Sequence, residues 1–411
     1  MKKALVVGGG RGQIPVINLC HKYGWYVTVV SPKGNYPGIS IADDVLFEDV
    51  KNKESILEFA KVNDIKAVLS DQLDVAVPTV AYVAEQLGLK GITYDVSLRF
   101  TNKYIMRKSA KDAGINVPDN AYAVNIDEAV KAAKELGFPL MIKPVDSAAS
   151  RGVYKISNIK ELEEKFYISQ KYSKSNAVII EQFITGKEYV VDAFTHDFQV
   201  NNLIVGHRDY FDVENTFIPS ATVFLDANSA NSSIENRLKE INKTLVSSFK
   251  LPFGITHAEY LYDEKEDKIY LVEIAARGGG VFISSDLIPD ACGVNANDLY
   301  VKEVLGIPYN DEINLTPGAS AYFCYLTPEG VVCELNNLEQ VEKIEGVCKA
   351  FFDNIELGMH TCSICDKSSR KGPIIVCGKS KDDCYKTISI VKETLSIKIK
   401  TVAGIEDIIW E

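Results

Sequence analysis

Ile255-Thr-His-Ala-Glu259-Tyr-Leu-Tyr-Asp-Glu-Lys-Glu266-Asp-Lys-Ile-Tyr-Leu-Val-Glu273-Ile-Ala-Ala-Arg277-Gly-Gly-Gly280 is the stretch on which the reading of this chain turns. Both arms carry strand-forming residues and the middle is charged, so the segment predicts a β-hairpin. A turn centred on Glu266 pairs Leu261 with Leu271 and Glu259 with Glu273. Directly opposed residues on one sheet face have Cβ atoms roughly 4.5–5.5 Å apart. Two carboxylates at that separation repel unless something positive sits between them. A hard divalent cation fits, and Mg²⁺ typically takes one or two carboxylates plus substrate phosphates. Arg277 then offers a planar cation, and the glycines after it let backbone approach a ligand closely. Taken alone, the hairpin also fits an exposed acidic loop.

Composition sets the frame. The chain has 411 residues, enough for two to four domains, with 46% hydrophobic and 25% charged residues. A net charge of -11 without a long basic run argues against nucleic acid as the main partner. No membrane helix is expected, and Ala4–Val7 is too short an apolar run for a signal peptide, so the expected address is the cytoplasm. The nine cysteines are an odd number and read mostly as small buried hydrophobes in a reducing compartment. Cys362-Ser-Ile-Cys365 follows His360 at a spacing that suits zinc or a redox pair, but no second Cys pair accompanies it. A hairpin loop without functional zinc is expected there.

The first ninety residues alternate strand and helix, which predicts a parallel, doubly wound sheet. Gly8-Gly-Gly-Arg-Gly-Gln13 departs from a dinucleotide fingerprint because the third glycine position falls on Gln13. A helix N-terminus there remains open to another anion. Helices are expected over 101–113 and 125–136. An α+β unit follows, with a strand at Leu140–Pro144 and a small-residue loop over 146–152. A second antiparallel region begins near Gly186 and contains the hairpin. The tail, from about Ser320, alternates strand and helix again as a small module. The domain division is therefore 1–100, 101–185, 186–315 and 316–411.

Lys143 sits on an apolar strand just before the small-residue loop, where backbone N–H groups and a cation suit phosphates. A lysine snorkelling from a strand edge is the structural alternative. Lys103 opens a helix, a poor place for a cation unless an anion compensates. His257 faces the same side as Glu259 and reads as a structural histidine. Ser284-Ser285 reads as a helix cap or substrate contact rather than a nucleophile.

A lysine, a lysine-bearing strand with its loop, Glu181-Gln-Phe-Ile-Thr-Gly-Lys-Glu188, then Glu259…Glu273-Ile-Ala-Ala-Arg277-Gly-Gly: in this order the residues resemble the ATP-grasp superfamily. The likeness is strongest to its L-amino acid ligase branch, with carbamoyl phosphate synthetase and biotin carboxylase more distant. The resemblance implies a mixed α/β and α+β fold: a Rossmann-like N-terminal domain, two lobes clamping ATP, and a small α/β C-terminal module. It implies that Lys103, Lys143 and the loop with Ser147, Ser150, Arg151 and Gly152 contact ATP phosphates. Glu181, Gln182, Phe183 and Ile184 would hold adenine, and Glu188 the ribose. Glu259 and Glu273 would bind Mg²⁺, with Mn²⁺ as a substitute, and Arg277 would steady an acyl phosphate. His207 and Arg208 are candidates to grip a substrate carboxylate, and Gly278, Gly279 and Gly280 to line its site. Ala275 stands where many relatives have a metal-binding asparagine.

The implied activity is ADP-forming ligation of a small carboxylate to an amine, by a chain free of membrane and nucleic acid and compatible with a homodimer. One alternative is a formate or bicarbonate enzyme of the purine-biosynthesis type. Another is an ATP-binding regulatory module without turnover.

Overall fold

A computed structural model describes residues 1–147, 151–213, 218–365 and 367–411. Ser150 lies outside the described residues. Strands β1 (Lys3–Val7), β2 (Tyr26–Ser31), β3 (Asp44–Phe47) and β4 (Ala67–Leu69) form a sheet in the order β3-β2-β1-β4. Every pairing in it is parallel, as the strand–helix alternation predicts. Ala4 and Val6 pack against one layer, which includes Val301 and Val304 of the helix Ala296–Leu305. Leu5 and Val7 pack against the other, with Ile56 and Leu57. Burial on both faces explains the unbroken apolar run of β1.

Strands β5 (Asn120–Ala123), β6 (Leu140–Pro144), β7 (Tyr154–Ile156) and β8 (Val178–Gln182) make an antiparallel sheet in the order β5-β8-β6-β7. Helices Ile126–Leu136 and Ile159–Gln170 cover one face, packing Ala129, Leu162 and Phe166 onto Ile142 and Ile180. The two-residue period of a strand then sends Lys143 and Glu181 to the opposite face.

The chain continues through β9 (Lys187–His196), β10 (Gln199–Tyr210), β11 (Pro219–Asp226), β12 (Gly254–Asp263), β13 (Lys268–Ala275) and β14 (Ala319–Tyr325). It ends with β15 (Gly330–Asn336), β16 (Val347–Ala350), β17 (His360–Thr361), β18 (Lys371–Gly378), β19 (Ser396–Lys400) and β20 (Ile405–Asp407). Eight of these form one large sheet, β13-β12-β9-β10-β11-β14-β18-β16. The other four pair as β17-β15-β19-β20. The tail is thus hydrogen-bonded into the large sheet, with β14 on β11, β18 on β14 and β16 on β18.

Val191, Ala193, Ala258 and Tyr260 pack one face of this sheet against Leu238 and Leu245 of the helix Ser233–Ser248. Each of the larger aliphatic ones, Val191, Leu238 and Leu245, contributes roughly 1.5–3 kcal/mol when fully buried. The helix starts in a reciprocal cap: the Glu235 N–H donates to the Ser232 hydroxyl oxygen, and the Ser232 N–H donates to the Glu235 carboxylate.

The hairpin forms with Glu259 opposite Glu273, as predicted. Its turn is tighter than expected, because Asp263 pairs with Lys268. Leu261 therefore faces Tyr270, and Leu271 faces Tyr260, which corrects the predicted Leu261–Leu271 pair. A bulge between Glu259 and Tyr260 absorbs the one-residue difference and leaves Val272 as the extra residue. Among the described residues, no helix is long and apolar enough to cross a membrane.

Candidate active site

Four neighbouring strands, β10-β9-β12-β13, each contribute one charged residue to a row: Arg208, Glu188, Glu259 and Glu273. Alternation places this row on the face away from the Ser233–Ser248 helix. Arg208 bonds both Glu188 and Glu259, the latter at 2.9 Å, and the Tyr210 hydroxyl donates to Glu188. Lys103 Nζ donates to Glu273 Oε1 at 2.8 Å and to the Ser147 carbonyl at 2.8 Å. Each carboxylate of the opposed pair thus has its own cation. Lys103 is 7% exposed at the first turn of the helix Lys103–Asp112, where Glu273 supplies the anion that such a position needs.

His257 lies behind Glu259. Its Nδ1 is 2.9 Å from Asp192, and its Nε2 is 3.6 Å from Glu259. Burial alone would lower its pKa, but Asp192 and Glu259 outweigh burial and raise it to about 9. Burial likewise opposes ionisation of Glu259, yet Arg208, His257 and Lys367 hold its carboxyl well below the usual range. Burial raises the Glu188 carboxyl despite the nearby Arg208.

Glu181 is 1% exposed and sits between two cations. Arg107 Nε donates to it at 2.6 Å and Lys143 Nζ at 2.5 Å. Burial would raise its pKa, but Arg107 and Lys143 prevail and bring it to about 2. Arg107 also donates to the carbonyl of the bulge residue Val272 at 2.6 Å. The Glu181 side chain therefore anchors Lys143 on the buried side of β8. Beyond it, Gln182 is exposed and its N–H donates to the Asp119 carbonyl at 2.8 Å. The Phe183 ring lies under Lys155, 4.2 Å from its centroid, and Ile184 is half-buried between β8 and β9. Arg151 is exposed. Gly152 has φ +74, and a Cβ there would lie 2.8 Å from the Tyr172 ring.

The glycine segment is tied to the N-terminal sheet. Asp71 follows β4 and accepts from the Gly278 N–H and the Ser284 hydroxyl, both at 2.7 Å. A Cβ on Gly278 would lie 2.2 Å from Ser284 Cβ, and one on Gly279 2.8 Å from Ile283 Cδ1. Gly280 has open space. Arg277 is held at both ends, by Asp74 at 2.8 Å and by the Gly278 carbonyl at 2.9 Å. Among the described residues, the buried Nε–H groups of Arg277 and Arg208 meet no acceptor.

The His207-Arg208 pair splits. Arg208 joins the row, whereas His207 bonds the Tyr385 hydroxyl at 2.6 Å on the other face. Adjacent strand residues point to opposite faces, so both cannot grip one carboxylate. Arg107, Asp71, Asp74 and Lys367 were not anticipated. Their partners lie 74 to 207 residues away in the cases of Arg107–Glu181 and Asp71–Gly278, and only the opposed carboxylates hinted that cations must converge here. Cys362 and Cys365 are exposed. Among the described residues, no three His, Cys, Asp or Glu side chains gather as a metal cage. Ala275 is buried and offers no oxygen ligand. Glu259 and Glu273 alone fit a Mg²⁺ ion that takes its remaining ligands from phosphates and water.

Comparison with known proteins bears on the domain and the fold. The family model of the ATP-grasp domain matches residues 136–286. The L-arginine-specific L-amino acid ligase of Bacillus subtilis is 22% identical over 87% of this chain and 85% of its own length. The formate-dependent phosphoribosylglycinamide formyltransferase of Trichormus variabilis is also 22% identical, over 78% of this chain and 80% of its own. The crystal structure of L-amino acid ligase from Bacillus licheniformis superposes with a TM-score of 0.80 at 20% identity, covering 98% of this chain and 99% of that one. This chain thus carries an ATP-grasp domain over residues 136–286 and shares the overall fold of that L-amino acid ligase structure.

Proposed function

We propose that the chain is an ATP- and Mg²⁺-dependent carboxylate–amine ligase that forms ADP through an acyl phosphate. The observation that carries this reading is the pair of opposed hairpin carboxylates, each met by its own cation, Glu273 by Lys103 and Glu259 by Arg208. Mg²⁺ bound by Glu259 and Glu273 would supply charge neutralisation for the phosphates, and Mn²⁺ suits the same oxygen ligands. Lys103 and Lys143 would place ammonium groups against the phosphates. Each is now held by a carboxylate, which keeps the cation aimed before nucleotide arrives. Glu181 acts through Lys143 and is a positioning residue. Residues Gln182, Phe183 and Ile184 would border the adenine, and Glu188 would accept from the ribose hydroxyls. The Gly152 turn and residues Ser147 and Arg151 would border the phosphates.

Arg277 is clamped by Asp74 and presents a fixed cation where charge develops on the transferred phosphoryl group. The amine then attacks the acyl carbon. Its nitrogen forms the new bond, the carbon–oxygen bond to phosphate breaks, and inorganic phosphate leaves. No side-chain nucleophile is needed, consistent with Ser284 being committed to Asp71.

The test is ADP release from MgATP by purified protein given carboxylates and amines singly and in pairs. Release that needs both partners, and that is lost in Glu273→Ala, is expected. A Glu273→Ala protein with near-normal turnover would show that the hairpin is merely acidic.

A further inference from the structure

A cavity of about 360 Å³ opens beside the glycine segment, and the mechanism above leaves it unused. It lies where Arg11 follows β1, a loop at the carboxyl end of a parallel sheet. Such crevices are the usual ligand positions of doubly wound sheets. Its apolar wall is Val281, Phe282 and Cys324. Its charged wall is Arg11, Lys367 and Arg370, and among the described lining residues none is acidic. In a chain of net charge -11, an all-cationic lining runs against the overall composition.

The walls are built rather than incidental. Val281 and Phe282 both hold positive φ, +56 and +61, a conformation uncommon in non-glycine residues and strained for a β-branched or bulky one. The Phe282 ring stacks on Phe351 with centroids 4.6 Å apart and planes 2° from parallel. Arg370 Nε donates to the Lys367 carbonyl at 3.2 Å, which fixes the two cationic residues relative to each other. Arg11 bonds Asp353 from the tail, so the N-terminal and C-terminal parts of the chain close around the cavity together. Lys367 of the cavity wall also acts by its charge on the Glu188 and Glu259 carboxyls, which puts the cavity beside the charged row.

Resting on the ligase reading, we propose that this cavity holds the remote end of a substrate bearing an anionic group, a second carboxylate or a phosphate. A short apolar body lies against Val281 and Phe282. The anion meets Lys367 and the planar fork of Arg370, which grips two oxygens at once. A cationic side chain is rejected by the same groups, so this chain does not share the arginine selectivity named for its Bacillus subtilis relative.

The experiment supplies the full chain with MgATP and pairs drawn from glutamate, phosphoserine, alanine and arginine, and measures ADP release. Pairs that include glutamate or phosphoserine should exceed the alanine and arginine pairs at least about tenfold in kcat/KM, and the ratio of those two arms tells carboxylate from phosphate. Arg370→Ala should raise the KM of the anionic substrate about tenfold without changing that of ATP. Faster turnover of alanine or arginine pairs would overturn the cavity assignment while leaving the ligase standing. If no pair releases ADP, the ligase reading fails. Calorimetric titration of glutamate and phosphoserine into the protein with MgADP then decides the cavity. Binding weakened in Arg370→Ala supports it, and absent or unweakened binding overturns it.

Discussion

Replacing Arg107 by Met removes the guanidinium that ties Glu181 of β8 to the hairpin. Arg107 and Glu181 are each 1% exposed, and their bonds measure 2.6 and 3.4 Å, with a further 2.6 Å bond to the Val272 carbonyl. Methionine fills similar space but leaves Glu181 with Lys143 alone and strands the bulge carbonyl. Breaking a buried ion pair from one side costs about 3–5 kcal/mol. Lys143 still compensates part of the Glu181 charge, so the loss should fall near 3 kcal/mol, the lower end of that range. The cost should also depend on pH. The Glu181 carboxyl is lowered in the folded protein from 4.5 to about 2, so its contribution is present above pH 4.5 and lost as pH falls through about 2. Urea unfolding followed by circular dichroism, from pH 7 down to pH 3, measures both effects. The ATP KM should rise as well, because Glu181 freed from Arg107 draws Lys143 more tightly to itself. A loss below ~1 kcal/mol at pH 7, far under the buried-pair range, or a loss independent of pH, would refute the reasoning.

Gly278→Ala should cost ~1–3 kcal/mol and most activity, since its Cβ would lie 2.2 Å from Ser284 Cβ, whereas Gly280→Ala has open space and should stay within ~0.5 kcal/mol; equal thermal shifts in the two variants would contradict this. His257 carries a pKa raised from 6.5 to about 9, so its stabilising contribution is complete below pH 6.5 and lost as pH rises through 9. His257→Gln should therefore flatten the fall in stability between pH 7 and 10, and an unchanged slope would remove the Asp192–His257 pair from the account. Arg277→Lys should keep ATP binding but lose ~10²–10³ in turnover, because a point charge cannot hold both Asp74 and the Gly278 carbonyl and still face a phosphoryl group. A loss under about fivefold, well below that range, would make Arg277 structural.

The local parts of the fold were legible in the sequence. The β1 run, the Lys143 strand and the glutamate hairpin each declare themselves through a period of two or an unbroken apolar stretch. The Leu261–Leu271 register was not legible, because a bulge at Val272 depends on Arg107, which binds its carbonyl from a distant helix. Strands β3 and β5 are four residues each with half-exposed patterns, too short and too polar to signal themselves. The helix Tyr94–Thr101 was missed for a related reason, since its neighbour Asn102 both ends it and caps the next. At the site, the acidic pair was readable because like charges must be explained, while its neutralising cations come from elements far apart in the chain. Alternation could have separated His207 from Arg208, since neighbours on a strand face opposite ways. The tail looked self-contained because its strands are local in sequence, yet three of them complete the large sheet.

The central claim, a carboxylate activated by phosphoryl transfer, is tested most directly by following oxygen. A carboxylate substrate labelled with ¹⁸O in both oxygens is turned over with unlabelled ATP and an amine, and the released phosphate is weighed by mass spectrometry. An acyl phosphate displaced by the amine leaves one labelled oxygen in each phosphate, and Glu273→Ala should release none. Unlabelled phosphate at full turnover would contradict the account.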